Sequence, residues 1–201
     1  MFTGLIKTKA NVLDIQSFHG GSRCVFECDV TGVSLGDSIA INGVCSTVTD
    51  LRETSFTVEY LVETLHKTTF SYLQVGQSVN IEYSLTPADK LGGHFVQGHV
   101  DTVGEIVKLT EEGPWHVIYI AYDQQFDYHF VSKGSICIDG ISLTVVDVAK
   151  GQFSCHIIPH TFHNTTFSQY TVGTKVNLEF DVLGKYIYNY LRLREEKHDS
   201  E

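Results

Sequence analysis

The sequence predicts an all-β chain: two tandem copies of one small β-domain, followed by a C-terminal helix. Three observations predict it: an internal repeat, short β-type segments in each copy, and a change to helical periodicity at the end. "SIAINGVCSTVTD" (38–50) set above "SICIDGISLTVVD" (135–147) gives seven identities in thirteen positions at an offset of 97. The same offset aligns "FTVEYLVETLHKTTF" (56–70) with "FSCHIIPHTFHNTTF" (153–167), and "VGQSVNIE" (75–82) with "VGTKVNLE" (172–179). The opening "TGLIKT" (3–8) matches "QGHVDT" (97–102) at an offset of 94. One ungapped offset serving three blocks is the mark of a duplication. A unit of about 90 residues is too long for a solenoid repeat and suits a small domain.

The segments "SIAING", "STVTDL", "VNIEYSL" and "HVIYIAY" are short, rich in β-branched or aromatic residues, and bounded by Gly, Asn or Asp. Several such strands per copy suggest a small barrel or sandwich. A short helical turn is expected at "ETLHKTTF" and again at "HTFHNTTF". The first unit is assigned to 1–89 and the second to 90–185. The boundary falls at "TPADKLGG" (86–93), where a proline, a glycine pair and charges favour a turn. In "DVLGKYIYNYLRLREEKHDS", Leu183, Tyr186, Ile187, Tyr190 and Leu191 recur at helical spacing. Residues 186–201 are therefore assigned to a terminal helix and tail. Its apolar stripe can pack on the chain's own barrel or against the same helix of other subunits.

A net charge of −10 and a pI near 5.4 argue against nucleic acid and anionic membranes, which are bound through clustered Lys and Arg. No apolar run is long enough to span a bilayer. The N-terminus lacks the basic head and apolar stretch of a signal peptide. The expected location is cytoplasmic. Five cysteines, an odd number without a C-x-x-C pair, are expected to be reduced thiols.

His94 and His99 sit five apart in "GGHFVQGHVD" (92–101). No third and fourth ligand stand at workable spacing, so no metal is expected. His94 follows two glycines at the domain boundary and reads as structural. His99 falls where the first copy has Leu5, so the fold does not itself demand an imidazole there. A pocket-lining imidazole that exchanges protons near neutral pH is the preferred reading. Cys45 and Ser142 are equivalent, each just after an "NG-V" or "DG-I" turn. Either a small residue is needed there, or a thiol and a hydroxyl face two bound molecules. Thr47 and Thr144 are also equivalent, as strand residues or as hydrogen-bonding hydroxyls. Two copies make two similar pockets, the layout needed to join two molecules of one compound with little entropic cost.

"MFTG" (1–4), "INGVCSTV" (41–48), "GGHFVQGHVD", "IDGISLTV" (138–145) and "IPHTFHNTT" (158–166) occur in this order within a duplicated chain. In this they resemble the riboflavin synthase family over nearly the whole length. The resemblance implies two six-stranded Greek-key barrels per subunit and a C-terminal helix that holds a homotrimer. It implies conversion of two molecules of 6,7-dimethyl-8-ribityllumazine into riboflavin and 5-amino-6-(ribitylamino)uracil by transfer of a four-carbon unit. It implies no metal and no organic cofactor. The two lumazines would lie between the N-terminal barrel of one subunit and the C-terminal barrel of its neighbour.

Carried onto this sequence, the resemblance makes Cys45, His99, Ser142 and Asp181 catalytic candidates, with Phe2 and Thr3 at the catalytic interface. Gly4, Leu5 and Ile6, with Gly98, His99 and Val100, line the lumazine pockets. Cys45, Ser46 and Thr47, with Ser142, Leu143 and Thr144, face the ring systems. Glu59, Tyr60, Leu61, Val62, Glu63 and Thr64, and equivalently His156, Ile157, Ile158, Pro159, His160 and Thr161, surround the pyrimidine ring and ribityl chain. Lys133 reaches a neighbouring subunit's ligand. A ribityl chain offers only hydroxyls, so carboxylate, hydroxyl and backbone partners suit it. A phosphate would want a Gly-rich loop or an Arg cluster instead. One residue departs: Ser46 stands where the family has leucine, as the second copy has Leu143. The non-catalytic lumazine and yellow fluorescent proteins depart from the enzyme pattern nearby. A lumazine- or flavin-binding protein without turnover is therefore the alternative function, and a barrel pair serving only protein interaction is the third. Strand alternation could also put Ser46 on the barrel exterior.

Overall fold

The structure, a computed structural model, describes residues 1–198. The first copy contains β1 (Thr8–Phe18), β2 (Gly21–Glu27), β3 (Ser38–Ile41), β4 (Val44–Leu51), β5 (Ser55–Leu61), α1 (Val62–Lys67) and β6 (Ser78–Tyr83). The second repeats this order as β7 (Thr102–Glu112), β8 (Trp115–Ala121), β9 (Ser135–Ile138), β10 (Ile141–Ala149), β11 (Gln152–Ile157), α2 (Pro159–Asn164) and β12 (Lys175–Phe180). Single 3-10 turns follow α1 and α2, at Thr69–Tyr72 and Thr166–Gln169. The strands close into two antiparallel barrels, β1-β2-β5-β4-β3-β6 and, equivalently placed, β7-β8-β11-β10-β9-β12. Each joins three hairpins out of sequence, the Greek-key connection. Closure leaves no sheet edge exposed.

Inward side chains alternate along each strand, as the period of two requires. Phe26 and Phe56 stack at 5.5 Å inside the first barrel. Tyr122, Phe130, Phe153 and Phe180 fill the second. Both copies carry a bulge at the same place, between Val12 and Asp14 in β1 and between Ile106 and Lys108 in β7. A bulge sharpens the local bend that a small barrel needs.

The two barrels meet across a local two-fold. Asn42–Gly43 and Asp139–Gly140 are tight hairpin turns with positive φ throughout (43° and 76°; 45° and 82°), the conformation that Asn, Asp and Gly accept. The tips abut so closely that a Cβ on Gly43 would lie 2.6 Å from Gly140 N. Buried asparagines lock them: Asn80 Nδ2 donates to Asp139 O at 3.0 Å, and Asn177 Nδ2 donates to Asn42 O at 2.8 Å. Their Oδ1 atoms accept Thr166 N and Thr69 N at the start of the opposite barrel's 3-10 turn.

The terminal helix α3 spans Val182–His198 and so begins before residue 186. Asp181 Oδ1 accepts Leu183 N at 3.0 Å and caps the first turn. Tyr188 stacks on Tyr128 at 3.9 Å, and Lys185 pairs with Asp101 at 2.6 Å. This face, rather than the apolar stripe, holds α3 to its own barrel. Leu183, Tyr186, Ile187, Tyr190 and Leu191 are 50–72% exposed. No helix among the described residues is long and apolar enough to cross a membrane.

Candidate active site

The first residues of the chain are pinned, not frayed. Phe2 is fully buried and forms a bridge with Val96, its N–H donating to Val96 O at 2.7 Å. The segments 2–6 and 96–100 therefore run as an equivalent pair beside the two-fold. Each is anchored to its own barrel and then crosses to the other. Thr3 N and Oγ1 donate to Glu82 Oε1 at 2.7 Å each, and Gly4 N donates to Glu82 Oε2 at 2.9 Å. Beyond that anchor, Gly4 O accepts Ser142 N at 2.8 Å on the second barrel. Gln97, Gly98 and His99 donate their N–H groups to Glu179 at 2.7–3.1 Å. Gly98 O then accepts Cys45 N at 2.8 Å on the first barrel. Ile6 packs against the second barrel's core and Val100 against the first's.

These crossings bring the predicted residues into two matching groups. In β4 and β5, Val48 pairs with Val58. Continuing that register sets Thr47 opposite Glu59 and Cys45 opposite Leu61 on the outer face, beside Gly98, His99 and Val100. In β10 and β11, Val145 pairs with Cys155. The same continuation sets Thr144 opposite His156 and Ser142 opposite Ile158, beside Gly4, Leu5 and Ile6. α1 follows β5 and carries Val62, Glu63 and Thr64; α2 follows β11 and carries Pro159, His160 and Thr161. Both groups are open surface. Leu5, Leu61, Val62 and Ile158 are 42–70% exposed, a cost that a ligand or a neighbouring subunit would relieve.

Four predicted side chains face elsewhere. Tyr60 and Ser46 are buried inside the first barrel, where their hydroxyls share a 2.8 Å hydrogen bond, and Ser46 Oγ also donates to Val44 O. Of their equivalents, Ile157 is in the second barrel's core and Leu143, partly buried, packs against it. Strand alternation turns these positions inward, so any ligand contact they make is through the backbone. Ser46 is thus neither on the exterior nor in the pocket. It is the polar answer to a tyrosine that replaces isoleucine. Two carboxylates are already engaged by cations at the surface: Glu59 with Arg23 at 2.7 Å and Glu63 with Lys67 at 2.9 Å. Lys133 is exposed on the turn before β9, at φ 66°, with its N–H donating to Val145 O.

The second group also holds His94, which is buried as its sequence setting suggests but meets a predicted site residue. His94 is buried, and its Nδ1 lies 2.7 Å from Ser142 Oγ. Its Nε2 has no hydrogen-bond partner among the described residues. Burial holds the His94 pKa below the ordinary histidine value, and the charge of Asp181 opposes this. At neutral pH this imidazole is therefore mainly neutral and able to accept a proton. The signal in the sequence was Gly93: a Cβ there would lie 2.9 Å from Ser142 Oγ and 2.1 Å from Thr3 O. Glycine lets the chain pass close enough to set His94 on Ser142. Among the described residues no group of three His, Cys, Asp or Glu is placed to hold a metal ion. All five cysteines are unpaired.

The lumazine-binding domain family matches the chain twice, over residues 3–84 and 97–181. A riboflavin synthase of Photobacterium phosphoreum is 41% identical over 194 residues, covering 95% of this chain and 89% of that protein. The riboflavin synthase of Bacillus subtilis (strain 168) is 37% identical, covering 98% and 92%. That of Mycobacterium bovis is 39% identical, covering 96% and 98%. Among solved structures, LumP complexed with riboflavin superposes with a TM-score of 0.84 at 21% identity, covering 90% of this chain and 99% of that one. LumP complexed with 6,7-dimethyl-8-(1'-D-ribityl) lumazine gives 0.81 at the same identity and coverage. Two lumazine-binding repeats, full-length likeness to riboflavin synthases and two matching open sites agree: the chain belongs to the riboflavin synthase family of lumazine-binding proteins.

Proposed function

We propose that this chain is a riboflavin synthase, a transferase that dismutates two molecules of 6,7-dimethyl-8-ribityllumazine to riboflavin and 5-amino-6-(ribitylamino)uracil. The reaction moves a four-carbon unit from one lumazine to the other, and its atoms balance between two identical substrates and two products. One observation carries the reading: two sites with the same backbone walls hold different reactive groups. A reaction that gives two copies of one compound different roles needs that arrangement.

In the second site, Ser142 faces the ligand and His94 stands behind it. The neutral imidazole draws the hydroxyl proton as Ser142 takes a proton from the C7 methyl of the bound lumazine, a general-base relay. Asp181 stabilises the imidazolium that forms. In the first site, the Cys45 thiol and the His99 imidazole meet the other lumazine, as nucleophile or hydrogen-bond donor and as proton carrier. Thr47 and Thr144 hydrogen-bond the pyrimidine edges, and the α1 and α2 segments hold the ribityl hydroxyls.

The subunit is one third of a homotrimer in this reading. The exposed stripe of α3 is buried against its copies, and the first site of one subunit closes on the second site of the next. Phe2 and Thr3, buried in the subunit itself, support the wall behind that interface rather than touching the neighbour, and Lys133 reaches across it. The five unpaired cysteines favour a cytoplasmic setting. The one departure that keeps a carrier without turnover as the alternative, Ser46, lies inside the barrel against Tyr60 and lends that alternative no support. The test is to supply purified protein with the lumazine and follow riboflavin. More than one riboflavin per subunit establishes the enzyme. Tight binding without product assigns the carrier.

A further inference from the structure

We propose that Glu82 and Glu179 are positioning residues that act crosswise, each holding the wall of the ligand pocket on the other barrel. The inference rests on the two-pocket reading above. Both carboxylates are 2% exposed. Glu82 belongs to β6 of the first barrel, yet the backbone it grips (Thr3, Gly4) continues to Ser142 in the second pocket. Glu179 belongs to β12 of the second barrel, yet the backbone it grips (Gln97, Gly98, His99) continues to Cys45 in the first pocket. Each takes three hydrogen bonds at 2.7–3.1 Å.

A carboxylate suits this task because it only accepts. Three converging donors occupy most of its lone-pair sites and offset part of the cost of its burial. The wall it holds has no slack. A Cβ on Gly4 would sit 2.5 Å from Ser142 Cβ, and one on Gly98 would sit 2.7 Å from Cys45 Cβ. A shift of a few tenths of an ångström in this wall therefore moves the groups that meet the ligand. The His99 N–H is itself one of the bonds to Glu179, so this carboxylate fixes the backbone from which the first pocket's imidazole projects.

The test uses E82Q and E179Q. Glutamine keeps the volume but presents an NH2 group to N–H donors, losing part of the set. The full-length protein is made in two thiol backgrounds. C28S leaves Cys45 as the accessible thiol of the first pocket; C28S/C45S/S142C places a thiol in the second. Cys24, Cys137 and Cys155 are buried. Protection of each thiol from iodoacetamide by 6,7-dimethyl-8-ribityllumazine reports each pocket alone. E179Q should weaken protection at position 45 roughly tenfold or more, with position 142 within about twofold of its parent; E82Q should do the reverse. Loss in the pocket of the mutated residue's own barrel, equal loss in both, or no loss overturns the inference. If neither parent shows ligand protection, the functional reading fails and the inference falls with it. Should a glutamine variant not fold, E82D, E179D and G98A apply the same test. G98A must reproduce the pattern of E179Q, because its Cβ displaces the same wall against Cys45 while leaving the Glu179 carboxylate in place.

Discussion

The two sites share a backbone and differ in almost every side chain that faces out. Both are made by a strand end, a crossing Gly-x-x segment and a short helix. The first offers Cys45 and His99, with Glu59 and Glu63 paired to Arg23 and Lys67. The second offers Ser142 backed by His94, with Leu5, His156 and His160 in the places of His99, Glu59 and Glu63. In the proposed reading, duplication preserved what binds a common ligand, and divergence supplied what makes two identical ligands behave differently. Among the described residues only the second site has this hydroxyl–imidazole pair.

That asymmetry can be broken at its strongest point. H94A and S142A should each lower kcat by about 10²–10⁴. Their melting temperatures should stay within a few degrees of the parent, and lumazine should still be bound in the first site. Steady-state riboflavin formation with a thermal melt checks this. A collapse of stability in step with activity would make the pair structural. A comparable kcat loss is expected from charging the α3 stripe with I187D/Y190D, because each pocket then loses the surface that closes it. Sedimentation should show the subunits apart, with each barrel's fold intact by circular dichroism.

A smaller effect sharpens the comparison inside the barrels. S46L alone overpacks the first core and strips Tyr60 of its hydroxyl partner, which should cost about 1–3 kcal/mol. S46L/Y60I copies the second barrel's Leu143–Ile157 pair and should recover most of that loss, with turnover within about twofold of the parent. Recovery of stability without any change in turnover confirms that Ser46 serves the core rather than the ligand. Denaturant titration and initial rates measure both.

An effect on stability alone, with none expected on turnover, concerns the two hairpin tips. Asp139 is buried where the first copy has Asn42, and burial raises its pKa from 3.8 to about 7, opposed by bonds from Tyr170 O–H and Asn177 N–H. The native chain then holds a proton that the unfolded chain has released between about pH 4 and pH 7. Stability is full below that window and falls as pH rises through it. D139N, which restores the first copy's residue, should flatten this slope. Melting temperature from pH 4 to pH 8 reads the difference. An unchanged slope would assign the pH dependence to other groups.

The duplication, the strands, both helical turns and the terminal helix were legible because each is a local pattern or a repeat of one. Cys45, Ser142, Thr47 and Thr144 were legible for the same reason: aligned copies expose equivalent positions. The direction of Ser46 was not, because its meaning lies in Tyr60, fourteen residues away on the next strand. His94 was not, because it meets Ser142 only through the crossing of segments between barrels, a long-range contact that no periodicity announces. Glu82 and Glu179 look like ordinary strand carboxylates until the donors converging on them are seen.

Complementation tests most directly the claim that two unequal sites work as one. H99A damages the first site and H94A the second, so in the proposed trimer each variant alone should be nearly inactive. Unfolding a mixture of the two and refolding it together should restore riboflavin formation to roughly a quarter of the parent level, since random assembly pairs an intact first site with an intact second site that often. A mixture no more active than its separate components would contradict the account.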